Sequence, residues 1–278
     1  MSNVLPSGLS FSQSSLQDYV DCPRRFELRY VLRQAWPALQ AQPVIEHELQ
    51  IRRGMAFHRL VHQLAVGIPA EVLAESITDD DLARWRRSYL DSPPQDLPAG
   101  VRLTEVMLGT FIGEYRLVAK YDLLAADNSR VVIVDWKTGT HRTSGGWLAR
   151  RLQSRVYPYV VVEAGAAALD LPAVSPAHVS MVYWYPEFPW QPAVLPYGDT
   201  AHIENHDFLT RLIADIASRP QGDFPLTGDL QNCRFCVYRS LCERDMAAGH
   251  IAEMDEDGAD SNWAELDIDL DDVAEIAY

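Results

Sequence analysis

The sequence predicts one mixed α/β domain, and three observations carry that reading. Three β-like runs, Val101 to Phe111, Glu114 to Ala125 and Arg130 to Lys137, follow one another with only turn-sized gaps. A long apolar run of helical character, Trp147 to Ala168, comes next, and His178 to Tyr185 is a further strand-like run. The resulting order, strand-strand-strand-helix-strand with helices in front, gives a central sheet flanked by helices. At 278 residues and 47% hydrophobic, the chain is long enough to bury a sizeable core.

Each element has a local justification. Leu9 to Leu32 reads as two short helices meeting at Cys22-Pro23, with Ser12 as the first cap and Pro23 suited to the first turn of the second helix. Phe26 and Tyr30 then stack one turn apart. From Gly54 to Val66, apolar residues at Phe57, Leu60, Val61 and Leu64 have helical spacing, which places His58 and His62 one turn apart beside the stripe. Residues 67–98 show no clear period, and Ser92 to Pro98 reads as a loop. Turn chemistry at Gly113 and at Asp127-Asn128 folds the three runs into a meander. Pro158 is a candidate kink in the long helical run, and a helix from about Glu204 to Ser218 leads into a cysteine-rich segment.

Charge divides the chain into a domain over residues 1–250 and an acidic tail over 251–278. The net charge is −15, but the tail holds eleven Asp/Glu and no Lys/Arg, which leaves −4 for everything before it. Such a tail reads as solvated and disordered, or as a short amphipathic segment, with Trp263, Leu266, Ile268 and Leu270, that docks on a basic surface of a partner or of this protein. In the domain, basic residues cluster at Arg24, Arg25, Arg29 and Arg33, at Arg52 and Arg53, and at Arg142, Arg150, Arg151 and Arg155. Local patches of this kind, rather than global charge, are what phosphate contacts require. No stretch approaches the ~20 consecutive apolar residues of a membrane span, and the polar start lacks the layout of a secretory signal. A cytoplasmic protein is expected, in which Cys22, Cys233, Cys236 and Cys242 serve metal or cluster ligation rather than disulfides.

The candidate chemistry lies at the end of the third run. Residues two apart on a strand face one side, so Asp135 and Lys137 project together while Trp136 points to the other face. Asp122 sits on the preceding strand, where a pleated neighbour brings its carboxylate alongside Asp135. Carboxylate oxygens and a strand carbonyl suit Mg²⁺ or Mn²⁺, which acidifies a bound water, while a lysine can orient that water. Taken alone, Asp135-x-Lys137 reads more readily as a solvated strand end, since short motifs recur by accident.

The surrounding residues go further. Leu9-Ser10-Phe11-Ser12, Tyr19-x-x-Cys22-Pro23-x-x-Phe26, Gly54-x-x-x-His58, Glu105, Asp122, Asp135-Trp136-Lys137-Thr138-Gly139, Gln153-x-x-x-Tyr157 and the three late cysteines occur in that order. This set resembles the PD-(D/E)XK nuclease superfamily, in particular its RecB-like branch, which includes AddB-type helicase-nuclease subunits and cluster-containing CRISPR-adaptation nucleases. The resemblance spans most of residues 9–246. It implies a restriction-endonuclease-like core and a DNA exonuclease acting on single-stranded ends or flaps in repair, recombination or CRISPR adaptation. By the same resemblance His58, Asp122, Asp135 and the backbone carbonyl of Trp136 bind the metal, and Glu105 serves a second metal or a bound water. Gln153 and Tyr157 line the active site or contact DNA. Ala119 stands where the family often has glycine.

The cysteines split one plus three, Cys22 against Cys233-x2-Cys236-x5-Cys242. Zinc sites of four cysteines usually draw on two close pairs. The family resemblance assigns the observed split to a [4Fe-4S] cluster that joins the N- and C-terminal segments, with zinc as the alternative. A non-catalytic DNA-binding or scaffold subunit with the same fold is the rival function. A sequence-specific restriction endonuclease shares the core but does not call for the cysteine clasp. No G-x4-G-K-[ST] phosphate loop is present, so unwinding would come from a separate helicase, a candidate partner.

Overall fold

The computed structural model describes residues 5–34, 42–139, 141–234 and 236–244, with side chains from 49 onward in the helix that begins at Gln42. The acidic tail, 251–278, lies outside the described residues. The N-terminal pair of helices follows the sequence expectation. Helix α1 (Gln13–Asp21) is closed by a capping box in which Ser12 Oγ accepts from the Ser15 amide at 3.2 Å and Ser15 Oγ accepts from the Ser12 amide at 2.9 Å. Helix α2 (Pro23–Phe26) starts on Pro23 and runs on as a π-helical segment, Glu27–Val31. The rings of Phe26 and Tyr30 lie 5.2 Å apart.

Helix α3 (Gln42–Ala65) reaches further toward the N-terminus than its apolar stripe indicated. The stretch without a clear period contains α4 (Ala70–Glu75) and α5 (Asp80–Asp91). Helix α5 buries Trp85 alone, so one apolar anchor takes the place of a repeating stripe. Asp79 caps it by accepting from the Leu82 amide at 3.0 Å.

The sheet comprises β1 (Val101–Ile112), β2 (Tyr115–Ala126), β3 (Val131–Trp136), β4 (Val179–Trp184) and β5 (Ala193–Pro196), ordered β1-β2-β3-β4-β5. Pairing is antiparallel except between β3 and β4, which run parallel with Asp135 opposite Tyr183. The β1–β2 turn uses Gly113 at φ +61, a value glycine adopts without strain. Strand β5 is a short edge strand that the sequence did not announce. The helical run expected over Trp147 to Ala168 is two helices, α6 (Gly145–Leu148) and α7 (Gln153–Ala164), with Pro158 inside α7. The break has a cause: the Leu152 amide donates to Gln17 Oε1 at 3.2 Å, a tertiary bond in place of a helical one. Helix α8 begins already at Asp199 and ends at Ser218.

Each face of the sheet has its own core. One buries Tyr121, Leu124 and Ile133 under Val156 and Val160 of α7 and Leu209 and Ile213 of α8. The other packs Phe57 and Leu60 of α3 and Trp85 of α5 on Val132, Val134, Trp136 and Trp184, with the Phe57 and Trp184 rings stacked at 6.1 Å.

A local irregularity breaks the alternation of the long hairpin. On β2 the side chains entering the α7-side core are Leu117, Ala119 and Tyr121, then Leu124 and Ala126. On β1 they are Val101 and Leu103, then Val106, Leu108 and Ile112. Both strands slip by one residue at the same place, while the ladder keeps its register on either side, Thr104 opposite Leu123 and Val106 opposite Tyr121. The two residues at the slip are Glu105 and Asp122. Glu105 has φ +55, left-handed backbone that costs a non-glycine residue energy and occurs preferentially at functional sites.

Candidate active site

The slip turns two carboxylates toward α3. His58 Nδ1 lies 3.0 Å from Asp122 Oδ1, and one ligand atom each from His58, Glu105 and Asp122 all fall within 4.8 Å of one another. Two carboxylates and an imidazole in that span are a donor set that fits a Mn²⁺ or Mg²⁺ ion. His62, one turn along, is engaged elsewhere, its Nδ1 lying 2.7 Å from Thr104 Oγ1. The Gly54 position explains how α3 comes so close. A Cβ there would meet Thr138 Oγ1 at 2.9 Å, so the Gly54-x-x-x-His58 spacing lets the helix pass the chain leaving β3. Gln50 fixes the same approach by donating to the Thr138 carbonyl at 3.1 Å.

Asp122 has a second role. The β2–β3 ladder ends at Leu123 opposite Val134, and beyond it Asp122 Oδ2 accepts the Trp136 amide at 2.9 Å, so a side chain continues where the backbone pairing stops. Burial pushes the Asp122 carboxyl up, but charge and hydrogen bonding from His58, the Trp136 amide and the charge of Lys137 outweigh it, and the group is held below the usual carboxylate range. Ala119, at the family's glycine position, has ordinary strand backbone and is buried opposite Leu108.

Asp135 and Lys137 project together as expected, toward α7, while Trp136 enters the opposite core. Lys137 Nζ is 3.2 Å from Asp135 Oδ2 and donates to Gln153 Oε1 at 3.2 Å, and Gln153 Nε2 donates to Asp135 Oδ1 at 2.6 Å. The first residue of α7 thereby closes a buried three-membered ring of contacts. The Asp135 carboxylate is directed at this ring and is not one of the three ligands clustered around His58. Both carboxylates still share one neighbourhood. Burial drives the Tyr157 phenol well above its ordinary value, with Asp135 and Asp122 adding to the rise against Gln153 and Lys137. Tyr157 packs on Tyr121 at 5.1 Å and accepts the Tyr121 hydroxyl on its carbonyl at 2.8 Å.

Two neighbours carried no signal in the sequence. Lys120 Nζ lies 2.7 Å from Glu105 Oε2, and the Tyr183 ring sits 5.6 Å from Lys137 Nζ, with its hydroxyl 2.6 Å from Ser154 Oγ. Tyr183 is the parallel-strand partner of Asp135, a pairing that sequence spacing alone does not specify.

Cys22, Cys233, Cys236 and Cys242 line a single cavity together with Arg25 and Arg244. Burial pushes the Cys236 thiol up to about 11, against the opposing pull of Arg25, and Cys22 and Cys242 add to the rise. Arg244 Nη1 approaches Cys233 Sγ at 3.9 Å. The first basic cluster is largely consumed here: Arg25 and Arg29 bind Asp18 at 2.8 and 3.1 Å, and Arg24 pairs with Glu27. Arg53 is likewise tied to Asp79 and Asp81. Among the described residues, no helix is long and apolar enough to cross a membrane.

Comparison with known proteins supplies the family. The crystal structure of SSO0001 is similar at 14% identity, covering 87% of this chain and 90% of that one with a TM-score of 0.39. A protein from Eubacterium rectale for which an exonuclease role is proposed is similar at 11% identity, covering 74% and 79% with a TM-score of 0.44. No curated protein matches. A family model for the PD-(D/E)XK nuclease superfamily matches residues 10–243, which contain the whole sheet, the Asp122, Asp135 and Lys137 positions and all four cysteines, and the chain therefore belongs to that superfamily.

Proposed function

We propose that this protein is a Mg²⁺- or Mn²⁺-dependent DNA exonuclease of the RecB-like branch that acts on single-stranded ends or flaps and carries a [4Fe-4S] cluster on Cys22, Cys233, Cys236 and Cys242. One observation carries the reading: the His58, Glu105 and Asp122 ligand atoms converge beside the buried Asp135, Lys137 and Gln153 contacts in a chain of nuclease family. His58, Glu105 and Asp122, whose ligand atoms lie within 4.8 Å of one another, are the residues that would hold the metal. Asp135, with the Trp136 carbonyl, would complete the set by turning from the Lys137–Gln153 ring toward it, and Glu105 would then serve a second ion or a bound water. When bound, the metal supplies Lewis acidity and lowers the pKa of a water. Lys137, fixed by Asp135 and Gln153, would orient a water toward the phosphodiester, and Gln153 and Tyr157 would line the active site from α7. The imidazole in the ligand set favours Mn²⁺ at least as much as Mg²⁺.

The cysteine assignment rests on four thiols around one cavity with guanidinium groups beside it, which suits an anionic thiolate cluster. The cluster would tie the first helices to the last segment, and repair, recombination or CRISPR adaptation is the setting, with a helicase as candidate partner.

The deciding experiment is digestion of an end-labelled single strand by anaerobically purified protein. Cleavage is expected to stop with EDTA and return with Mn²⁺, and the protein should be brown with about four irons per chain, the content of one cubane on four thiolates. A protein that binds DNA but releases no label with either ion is the scaffold subunit instead. A colourless protein holding zinc removes the cluster.

A further inference from the structure

We infer that Trp190 is a base-stacking platform for an unpaired strand, on a loop that abuts the candidate active site. The inference rests on the nuclease reading and specifies how its substrate is gripped. Strands β3 and β4 run parallel, so the segments that follow them leave the sheet at the same end. They start side by side, since the Lys137 amide donates to the Trp184 carbonyl at 2.9 Å. The segment after β3 carries Arg142, Trp147, Arg150 and Arg151 before it reaches Gln153; the segment after β4 carries Trp190. Arg142 Nε donates to the Gln191 carbonyl at 2.8 Å and so joins the two segments next to the tryptophan.

Trp190 is 71% exposed, the most exposed of the large apolar side chains described. Its backbone is nevertheless fixed. Pro189 is buried, and two turn bonds, Phe188 amide to Tyr185 carbonyl at 3.0 Å and Gln191 amide to Phe188 carbonyl at 2.9 Å, bracket it. A rigid loop that holds an indole in water gains nothing from it in folding, because the apolar surface stays wet.

The charge around it selects the occupant. Arg142 and Arg150 are exposed, and Arg151 lies over the Trp147 ring at 4.8 Å, an arrangement of cation and aromatic suited to a sugar-phosphate chain with bases turned inward. Glu187, the carboxylate on the same loop, is already bound by Arg84 at 2.6 Å and by the Trp85 indole N–H at 2.6 Å. An exposed indole with Arg142 held beside its backbone, and further arginines on the segment that Arg142 belongs to, fits an unpaired base, since every base offers a π-face and a paired one keeps its faces stacked in the duplex.

The test compares wild type, Trp190→Ala, Trp190→Phe and Trp190→Leu, with Ca²⁺ in place of the catalytic ion, for affinity toward a fluorescent oligothymidine and a blunt duplex. Melting temperatures of the variants serve as the folding control. Trp190→Ala and Trp190→Leu should bind oligothymidine about tenfold more weakly, the usual cost of one lost base–aromatic stack, while Trp190→Phe keeps most of the affinity. Duplex affinity should change little, and wild-type indole fluorescence should be quenched on oligothymidine binding. Unchanged oligothymidine affinity in Trp190→Ala overturns the inference, including the case in which the variant loses a protein partner instead. An equal loss on strand and duplex, or retention by leucine, also overturns it. The nuclease reading fails separately, if wild type binds oligothymidine through Trp190 and cleaves nothing with Mg²⁺ or Mn²⁺.

Discussion

The candidate catalytic pole and the cysteine pole both gather side chains of metal-ligating type, and they do so by opposite means. At the first, regular structure carries His58 on α3, Glu105 on β1, Asp122 on β2, Asp135 on β3 and Gln153 on α7, and Lys137 is the first residue after β3. At the second, Cys22 falls between α1 and α2, and its partners occupy a one-turn helix (Gln231–Arg234), the residues after it and a 3-10 turn (Arg239–Cys242). No ladder sets that spacing, so polar cross-links take its place. Asp18 receives Arg25 and Arg29, Asn232 donates to the Asp21 carbonyl at 2.9 Å, and the Arg24 amide donates to the Pro225 carbonyl at 3.2 Å. The carboxylates differ in the same sense. Asp18 has 0% side-chain exposure and two guanidinium partners, whereas Glu105 and Asp122 retain 25% and 14%. A sealed, saturated carboxylate holds structure; one that keeps an open side can take an ion.

The comparison can be broken at its structural end first. Asp18→Ala takes a counter-charge from two buried guanidinium groups, of which Arg25 keeps Asp21 at 2.8 Å, and should destabilise the fold by about 3 kcal/mol, read as a lower denaturant midpoint, while cleavage per folded molecule is retained. Equal losses of stability and of specific activity would mean that the two poles are not separable.

At the catalytic end, Asp135→Ala or Lys137→Ala should reduce cleavage by more than about a hundredfold, roughly 3 kcal/mol of transition-state stabilisation, with DNA affinity preserved. Because the two are buried partners, each variant also melts earlier, and rates must be compared per folded molecule. Wild-type cleavage in either variant removes these residues from the site.

The smallest expected effect sharpens the contact between α3 and β3. Gly54→Ala gains helix propensity of about 1 kcal/mol but drives a methyl against Thr138 Oγ1, so stability should barely change while activity falls several-fold as His58 moves. In a Thr138→Ala background the same substitution should stabilise the protein. If Gly54→Ala stabilises it fully in the wild-type background too, the close approach is not a constraint.

The sequence made the meander legible because its turns carry punctuation: Gly113 and Asp127-Asn128 fall where β1, β2 and β3 are joined. It made the parity of Asp135 and Lys137 legible because strand period is a backbone property. Helix α5 and strand β5 were not, one having a single buried anchor and the other being four residues at a sheet edge. The break before α7 depends on Gln17, far away in the chain, and no local propensity encodes it. Gln153 could be placed near the site, but its bridge between Asp135 and Lys137 is a tertiary fact. The metal positions named from the resemblance divide in space, His58, Glu105 and Asp122 forming one cluster and Asp135 facing the lysine.

The slip at Glu105 and Asp122 also has a bearing on how such a site could originate. If both residues are struck out, the inward positions run Val101, Leu103, Val106, Leu108 on one strand and Tyr121, Leu124, Ala126 on the other with unbroken alternation, and the register of the hairpin is unchanged. The two carboxylates thus occupy the place of a paired insertion in an otherwise ordinary hairpin. Chemistry of this kind can be acquired or discarded by a matched two-residue change that preserves the inward–outward alternation of both strands.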